Sequence, residues 1–385
     1  MLKVEKSLWP LTVWMRIFGF HMGPRKKRTN SSRYSGGLLA AGSLMVLSTI
    51  GLHFTSFVLE ILKLRVNGIG PNGTNVTTAN LLNTGIEHLN NTWLFIGVHV
   101  SFFFVSLTTN WKTLWNSLLL MEKNLKFNSD FHRKCRKSVS VGFALLLIDC
   151  VSHLLVSIRS FYWDMGKMRP LAIILSNISR MTIASVFLLF CVLARVITLV
   201  FQGLNDQISH LTEADKLLPF FLSSRILNVR LEKWRRNHTL ACELVDMVNK
   251  CFGLVMLVTI VNVFVSFVTT SFEIVSSVGN NETLPFLLIF IFIKKSILLA
   301  ITFHESFRLQ SEAGRTAAFL RKLHPFTADL LTQIKVNTVV MEVTHASPKI
   351  TAMEFFDVNI RLLPTLIGST LTYVAILHQV AAHSK

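Results

Sequence analysis

Long apolar segments recur along the chain, and each is about as long as a helix that crosses a bilayer. Seven of them lie at residues 38–62, 93–111, 139–161, 171–201, 251–278, 284–303 and 362–382. A hydrocarbon core about 30 Å thick needs about 20 mainly apolar helical residues, and a helix satisfies its own backbone hydrogen bonds within lipid. The pattern therefore predicts an all-α membrane protein with seven transmembrane helices, which we number spans 1 to 7.

The connections between spans 4 and 5 and between spans 6 and 7 carry structure of their own. Residues 225–250 repeat apolar side chains near helical spacing, which predicts an amphipathic helix, and span 4 is long enough to continue beyond the membrane. The chain then divides into a tail (1–37), spans 1 to 4 (38–201), a helical connection (202–250), spans 5 and 6 (251–303), a second connecting segment (304–361) and the last helix with a short tail (362–385).

Charge sets the orientation. Hydrophobic residues make up 51% of the 385 residues and charged residues 16%, against about 25% charged in soluble proteins. The net charge of +18 could indicate nucleic acid, but its distribution favours a membrane. Residues 1–37, 112–138, 202–250 and 304–355 hold 28 Lys and Arg, whereas the opposite connections and the C-terminus hold five. Basic residues stay in the cytoplasm, so we expect a cytosolic N-terminus, an extracellular C-terminus and a cytosolic layer into which helices 4 to 6 extend.

Glycosylation motifs and cysteines agree with this orientation. Asn-x-Ser/Thr triplets begin at Asn72, Asn75 and Asn90 in the first outer loop and at Asn281 in the third, where glycans could be attached. Other triplets fall on the inner side or within spans, so the support is modest. The five cysteines show no CxxC spacing and avoid the outer loops, which predicts neither an extracellular disulfide nor a metal site.

Motifs of other classes are absent from the sequence. It has no Walker loop, GxGxxG, HExxH or serine nucleophile elbow, so we expect neither an enzyme nor a cofactor. A G-protein-coupled receptor would place its N-terminus outside, and no Asp-Arg-Tyr closes span 3. A secondary transporter would often show an internal repeat, and none is visible. These two classes remain the alternatives, the first predicting an extracellular N-terminus and the second saturable uptake without channel conductance.

Span 7 carries a polar stripe. Thr365, Ser369, Thr372, Ile376 and Gln379 are spaced 4, 3, 4 and 3, which places them on one helical face. Hydroxyl and amide groups can solvate ions without holding them tightly, and an apolar ring at Ile376 could gate by dewetting. The stripe could therefore line a pore formed by several copies of the chain. Packing of small residues between helices is the alternative.

At this helix the chain resembles the insect gustatory receptors. Thr372-Tyr373, five mostly apolar residues and Gln379 match the Thr-Tyr-h5-Gln-Phe signature of that family. Residues 350–352, 355–359 and 362–363 are similar to its approach to the last helix, as are residues 249–253 to its entry into span 5 and residues 312–316 to its segment after span 6. Val380 replaces the signature phenylalanine, and Glu354 stands where glycine is common.

The resemblance implies a function and an assembly. Members of the family form tetrameric, ligand-gated, non-selective cation channels in the plasma membrane of sensory neurons, in their dendrites, as homotetramers or with related receptors. It implies that the last helix lines the pore, with Gln379 and Val380 near the gate, and that helices 4 to 7 form a cytosolic anchor layer. Sugar-sensing members tend to carry an acidic residue directly after the Thr-Tyr pair, whereas this chain has Val374, which favours bitter or repellent tastants. The partners expected are a small-molecule tastant, permeating cations and membrane lipid, without nucleic acid.

The resemblance also implies a ligand pocket in the outer half of spans 2 to 6. Span 5 offers a second polar stripe: Thr259, Asn262, Ser266, Thr269 and Glu273. An intramembrane polar face turns inward, away from lipid, so these side chains could meet a ligand or only bond neighbouring helices.

The other spans add charged and aromatic candidates for this pocket. Span 3 offers Asp149 and His153, and span 6 offers Lys294 beside Lys295, for which Asp149 is the nearest counter-charge in depth. Structural pairing of one lysine and snorkelling of the other is the alternative. The remaining candidates are Asn177 and Arg180 in span 4 and His99 and Phe103 in span 2.

Overall fold

A computed structural model describes residues 109–125, 129–163, 169–215, 220–279, 286–323, 330–345 and 347–383, with a few single positions among the first 51. Span 1, most of span 2 and the first outer loop lie outside these residues. The described chain forms helices α1 (Thr109–Leu125), α2 (Ser129–Trp163), α3 (Arg169–Asp215), α4 (Phe220–Gly279), α5 (Phe286–Leu323), α6 (Leu330–His345) and α7 (Leu362–His383), with strands β1 (Thr351–Ala352) and β2 (Phe356–Asp357) between α6 and α7.

Several helices are far longer than a bilayer is thick. The 60 residues of α4 span about 90 Å at about 1.5 Å per residue, and α3 has 47 residues. The helix predicted at residues 225–250 is confirmed, and it continues into span 5 without a break. Two stretches of the described chain, Ala184–His210 and Asn228–Val275, are long and apolar enough to cross a membrane by length and composition.

Contacts between the helices fix their relative directions. The Phe190 and Phe252 rings lie 5.7 Å apart, and the Trp234 indole N–H donates to the Leu204 carbonyl at 3.0 Å. Positions later in α3 thus meet earlier positions in α4, so these two helices are antiparallel. By contrast, α3 and α5 are parallel. Cys191 lies against Thr302, and further along both helices Asn205 lies against Glu312. Spans 4 and 6 therefore run in one direction and span 5 in the other, as alternating membrane crossings require.

One helix is buried at the centre of the described chain, whereas two others expose apolar side chains. From Ser185 to Ile208, α3 is buried on nearly all sides. Apolar side chains of spans 3 and 6 are instead exposed on the single chain: Leu147, Ile148 and Val151 on α2, and Ile293 and Ile297 on α5. Exposed apolar surface of this extent marks contact with membrane or with other chains.

Candidate pore helix and intramembrane polar face

One side of α7 packs on the rest of the chain. Thr370 is buried, and Leu363, Leu366, Val374 and Leu377 are half-buried. These positions share one helical face. The Tyr373 ring at its edge lies 5.9 Å from the Phe264 ring of α4.

The predicted polar stripe lies on the opposite side of the same helix. Thr365, Thr372, Ile376 and Gln379 are exposed and Ser369 is half-buried. At about 100° per residue, the centre of the stripe is rotated about 140° from Thr370. The stripe therefore takes no part in packing this helix against its own chain, although packing between chains is still open.

A third face of α7 is apolar and also exposed. It carries Ile367, Leu371 and Ala375, rotated about 60° to 140° from Thr370 in the direction away from Tyr373. An exposed apolar face and an exposed polar face on one helix require two different surroundings. Lipid or a neighbouring chain suits the first, and water suits the second.

Threonine hydroxyls of α7 are satisfied without leaving the helix. Thr370 Oγ1 donates to the Leu366 carbonyl at 2.8 Å, and Thr372 Oγ1 donates to the Gly368 carbonyl at 3.0 Å. A threonine hydroxyl has one donor and two acceptor lone pairs. Since the Thr372 donor is used internally, its exposed oxygen presents lone pairs, which suits contact with water or a cation.

A short β-hairpin joins α6 to α7 and is held against α4. Asn249 Nδ2 donates to the Lys349 carbonyl at 2.7 Å, and the Thr351 N–H donates to Asn249 Oδ1 at 3.1 Å. A Cβ added at Gly253 would lie 3.0 Å from the Met353 nitrogen, so glycine permits the close approach. This geometry explains the sequence run 249–253: its asparagine and glycine hold the segment that leads into α7.

The hairpin turn uses left-handed backbone at two non-glycine residues. Met353 has φ 51° and Glu354 has φ 63°, a region that strongly favours glycine. Glycine, which is common at the Glu354 position in the family that the chain resembles, adopts this conformation without strain. Nothing in the sequence pattern indicated that Met353 adopts the same conformation.

Residues 312–316 lock α5 to α3. Asn205 Nδ2 donates to the Glu312 carbonyl at 3.0 Å, and Thr316 Oγ1 donates to Asn205 Oδ1 at 2.8 Å. Gln202 Nε2 also donates to Glu312 Oε1 at 3.3 Å. These residues of the motif therefore position helices and need not touch a ligand.

The polar stripe of span 5 is buried between helices. Thr259, Asn262, Ser266 and Thr269 are each at most 3% exposed, and Glu273 is half-buried. The stripe thus turns inward, as predicted for a polar face in lipid.

Several groups of this stripe have partners inside the chain. Lys295 Nζ donates to Ser266 Oγ at 2.7 Å, and Thr269 Oγ1 donates to the Ser266 carbonyl at 3.2 Å. Lys295 therefore joins α5 to the stripe, while the neighbouring Lys294 is half-buried and makes contacts of its own. Helix packing accounts for part of the stripe, and ligand contact remains a prediction.

Other predicted residues lie outside what the structure describes. His99, Phe103, Asn72, Asn75, Asn90 and Asn281 lie outside the described residues altogether. Asp149, His153, Asn177, Arg180 and Val380 have helical backbone, but their side chains are outside it. The pairing of Asp149 with a span 6 lysine is therefore untested. Within the described residues, no group of three His, Cys, Asp or Glu could hold a metal.

An aromatic stack forms the core of the segment between spans 4 and 5. The His238 ring stacks on Trp234 with centroids 5.1 Å apart, and the Phe201 ring meets it edge-on at 5.7 Å. Burial lowers the pKa of His238 to about 4 and raises the pKa of the adjacent Cys242 thiol to about 12. At neutral pH His238 is an uncharged core residue and Cys242 an unreactive thiol.

Comparisons with known proteins give one family match and one structural likeness. The family model described as 7tm Chemosensory receptor matches residues 8–381. The olfactory receptor OR5 of the insect Machilis hrabei superimposes with a TM-score of 0.66 at 13% identity over 98% of each chain. The same receptor in complex with eugenol superimposes with a TM-score of 0.63 at 13% identity, again over 98% of each chain. No curated protein sequence matches the chain. At this identity the structural likeness shows the fold alone.

Proposed function

Because the chain belongs to the 7tm chemosensory receptor family, we propose that it is a gustatory receptor, a subunit of a ligand-gated, non-selective cation channel that opens when a small-molecule tastant binds. The family makes it a multi-pass membrane receptor and not an enzyme. The finer assignment to taste is supported by the signature at Thr372, Tyr373 and Gln379, and Val374 favours bitter or repellent compounds over sugars.

The two exposed faces of α7 are the observation that carries the channel proposal. A helix that packs on its own chain through Thr370 still exposes Thr372, Ile376 and Gln379 on its far side. Four copies around an axis would bring these stripes together around water, with Ile376 as an apolar constriction. Such an assembly, a homotetramer or a heterotetramer, would leave the apolar third face for lipid or the neighbouring subunit.

The hairpin supports a route from ligand to pore. The helix that carries the buried stripe of span 5 also holds the segment leading into α7, through Asn249 and Gly253. A ligand that binds one arrangement of α4 better than another would bias the position of α7 in proportion to that difference in affinity. The eugenol complex of OR5 supports a small organic molecule as the class of ligand.

The proposed orientation places the N-terminus and the long connections in the cytoplasm of a sensory neuron, with α7 ending outside. In this orientation Asn262, Ser266, Thr269 and Glu273 face the outer half of the bundle. They are the described residues that we assign to the ligand pocket, together with Lys294.

The test is current through purified protein in planar bilayers, with a panel of bitter compounds and sugars. Ile376 and Ile367 form a matched pair, since they are 48% and 51% exposed on different faces of α7. We expect tastant-gated current, a leak in Ile376→Ser and native behaviour in Ile367→Ser. Protein that never conducts, or equal effects of the two substitutions, would refute the proposal. Uptake without unitary currents would indicate a transporter.

A further inference from the structure

A cleft in the predicted cytosolic layer has the chemistry of an anion site. It has a volume of 370 Å³ and is formed where the C-terminal end of α1, the end of α3 and the first half of α4 meet. We propose that it binds a phosphate-bearing anion, either the headgroup of an inositol phospholipid or a soluble inositol phosphate. This site lies apart from the pore stripe and the span 5 stripe, and nothing in the proposed channel mechanism uses it.

Cations and amides dominate the polar lining. Arg230 and Lys233 are exposed at the rim, and His210 adds an imidazole to it. Three amides also line the cleft: Asn124, Gln207 and Asn237. Among the described residues that line it, none is acidic. Guanidinium and ammonium groups form strong, charge-assisted hydrogen bonds with phosphate oxygens, and amide NH₂ groups add neutral donors.

The floor of the cleft is fixed before any ligand arrives. Trp234 is 2% exposed, and its indole N–H is held by the Leu204 carbonyl. Asn124 Nδ2 donates to Asn237 Oδ1 at 3.4 Å, which leaves the Asn237 amide NH₂ group to donate elsewhere. A rigid floor reduces the ordering cost of binding.

The two rim cations remain available because nearby acidic charge is paired elsewhere. Glu232, which lies between them in sequence, contacts Arg235 and Arg236. Within the described residues, neither Arg230 nor Lys233 forms an ion pair. Two uncompensated cations over a polar floor repel each other, and an anion between them would relieve that repulsion.

The position of the cleft suits both sources of phosphate. Gln207 and His210 follow the predicted inner end of span 4, residue 201, by six and nine residues, which is about 9 to 14 Å along the helix. A headgroup at the inner membrane surface and a soluble cytosolic anion could both reach this depth. The cytosolic side itself rests on the proposed orientation, whereas the chemistry of the cleft does not.

The test measures binding to purified full-length protein in nanodiscs, without any recording of current. One arm titrates inositol trisphosphate, with inositol as the uncharged probe, into phosphatidylcholine nanodiscs. The other arm detects, by native mass spectrometry, phosphatidylinositol bisphosphate retained from mixed nanodiscs. We expect Arg230→Gln and Lys233→Gln each to weaken binding by about tenfold, with Lys233→Arg close to native.

Lys250→Gln is the matched control, because Lys250 is an exposed cation of the same helix that does not line the cleft. Binding in either arm that is lost only in the rim variants supports the proposal, and the arm that binds identifies the source. No saturable binding in either arm, or equal loss in Lys250→Gln, overturns it. A protein that binds but does not conduct would refute the channel proposal alone.

Discussion

Asn249 is the residue whose removal tests most sharply how the pore helix is attached. Its side chain donates to the Lys349 carbonyl and accepts from the Thr351 N–H, at 2.7 and 3.1 Å. Both bonds reach across from α4 to residues 349–351, where the hairpin before α7 begins. Asn249→Ala would remove both and leave the two backbone groups to find water.

The free-energy cost of Asn249→Ala follows from the loss of these two hydrogen bonds. A neutral hydrogen bond contributes about 0.5–1.5 kcal/mol net, so the loss of two should cost about 2 kcal/mol. The hairpin itself is small, since β1 pairs with β2 through only two residue pairs, Thr351 with Asp357 and Ala352 with Phe356. The cost should appear as local opening of the hairpin rather than as global unfolding.

Hydrogen–deuterium exchange measures that opening directly. A local opening that is easier by about 2 kcal/mol exchanges its amides about thirtyfold faster. The Val358 N–H, bonded to the Ile350 carbonyl at 2.8 Å, is the reporter. Lys250→Ala is the control, since Lys250 is exposed next to Asn249. A rise below about threefold in Asn249→Ala, or the same rise in the control, would refute the role of Asn249 as the clamp.

Three further predictions concern the stack, the hairpin contact and the buried lysine. Because folding lowers the pKa of His238 to about 4, the unfolded chain takes up a proton at this residue before the folded chain does, as the pH falls from about 6.5 to 4. Over that pH window the free energy of unfolding should fall by about 3 kcal/mol more in wild type than in His238→Phe, and equal pH profiles in thermal unfolding would contradict this. Gly253→Val should force the hairpin off α4, at a cost of about 1–3 kcal/mol, and speed exchange at Val358, whereas unchanged exchange would mean that the contact is unimportant. A double-mutant cycle of Lys295→Met and Ser266→Ala should give a coupling of about 1.5–3 kcal/mol in unfolding, and additive effects would show that the bond contributes nothing.

Local periodicity predicted the helical parts of this molecule well. Residues 225–250 repeat apolar positions at helical spacing, and the structure buries Leu231, Trp234, Leu244 and Val248 on one side of α4. The stripe of α7 was visible for the same reason, since its period is set within a single helix.

Sites formed by segments that are far apart in the chain could not be predicted from local periodicity. The cleft joins Asn124, Gln207 and Arg230, which no local period relates. Likewise, Lys295 meets Ser266 only because α4 and α5 are antiparallel. Left-handed backbone at Met353 occurs where the hairpin docks against Gly253, and a methionine gives no sign of it. Sequence patterns fix faces within elements, whereas contacts between elements depend on how the helices are arranged.

Water accessibility along α7 is the measurement that tests the central claim most directly. Single cysteines would be placed along the helix and exposed to a charged, membrane-impermeant thiol reagent during tastant-evoked current, with the native chain as baseline. The account predicts that Thr365, Ser369, Thr372, Ile376 and Gln379 are modified and that current changes. It predicts protection at Leu366, Thr370 and Val374, which pack on the chain, and at Ile367 and Leu371 on the apolar face. Modification that does not follow the polar face of the helix, or that is confined to the apolar face, would contradict a pore lined by α7.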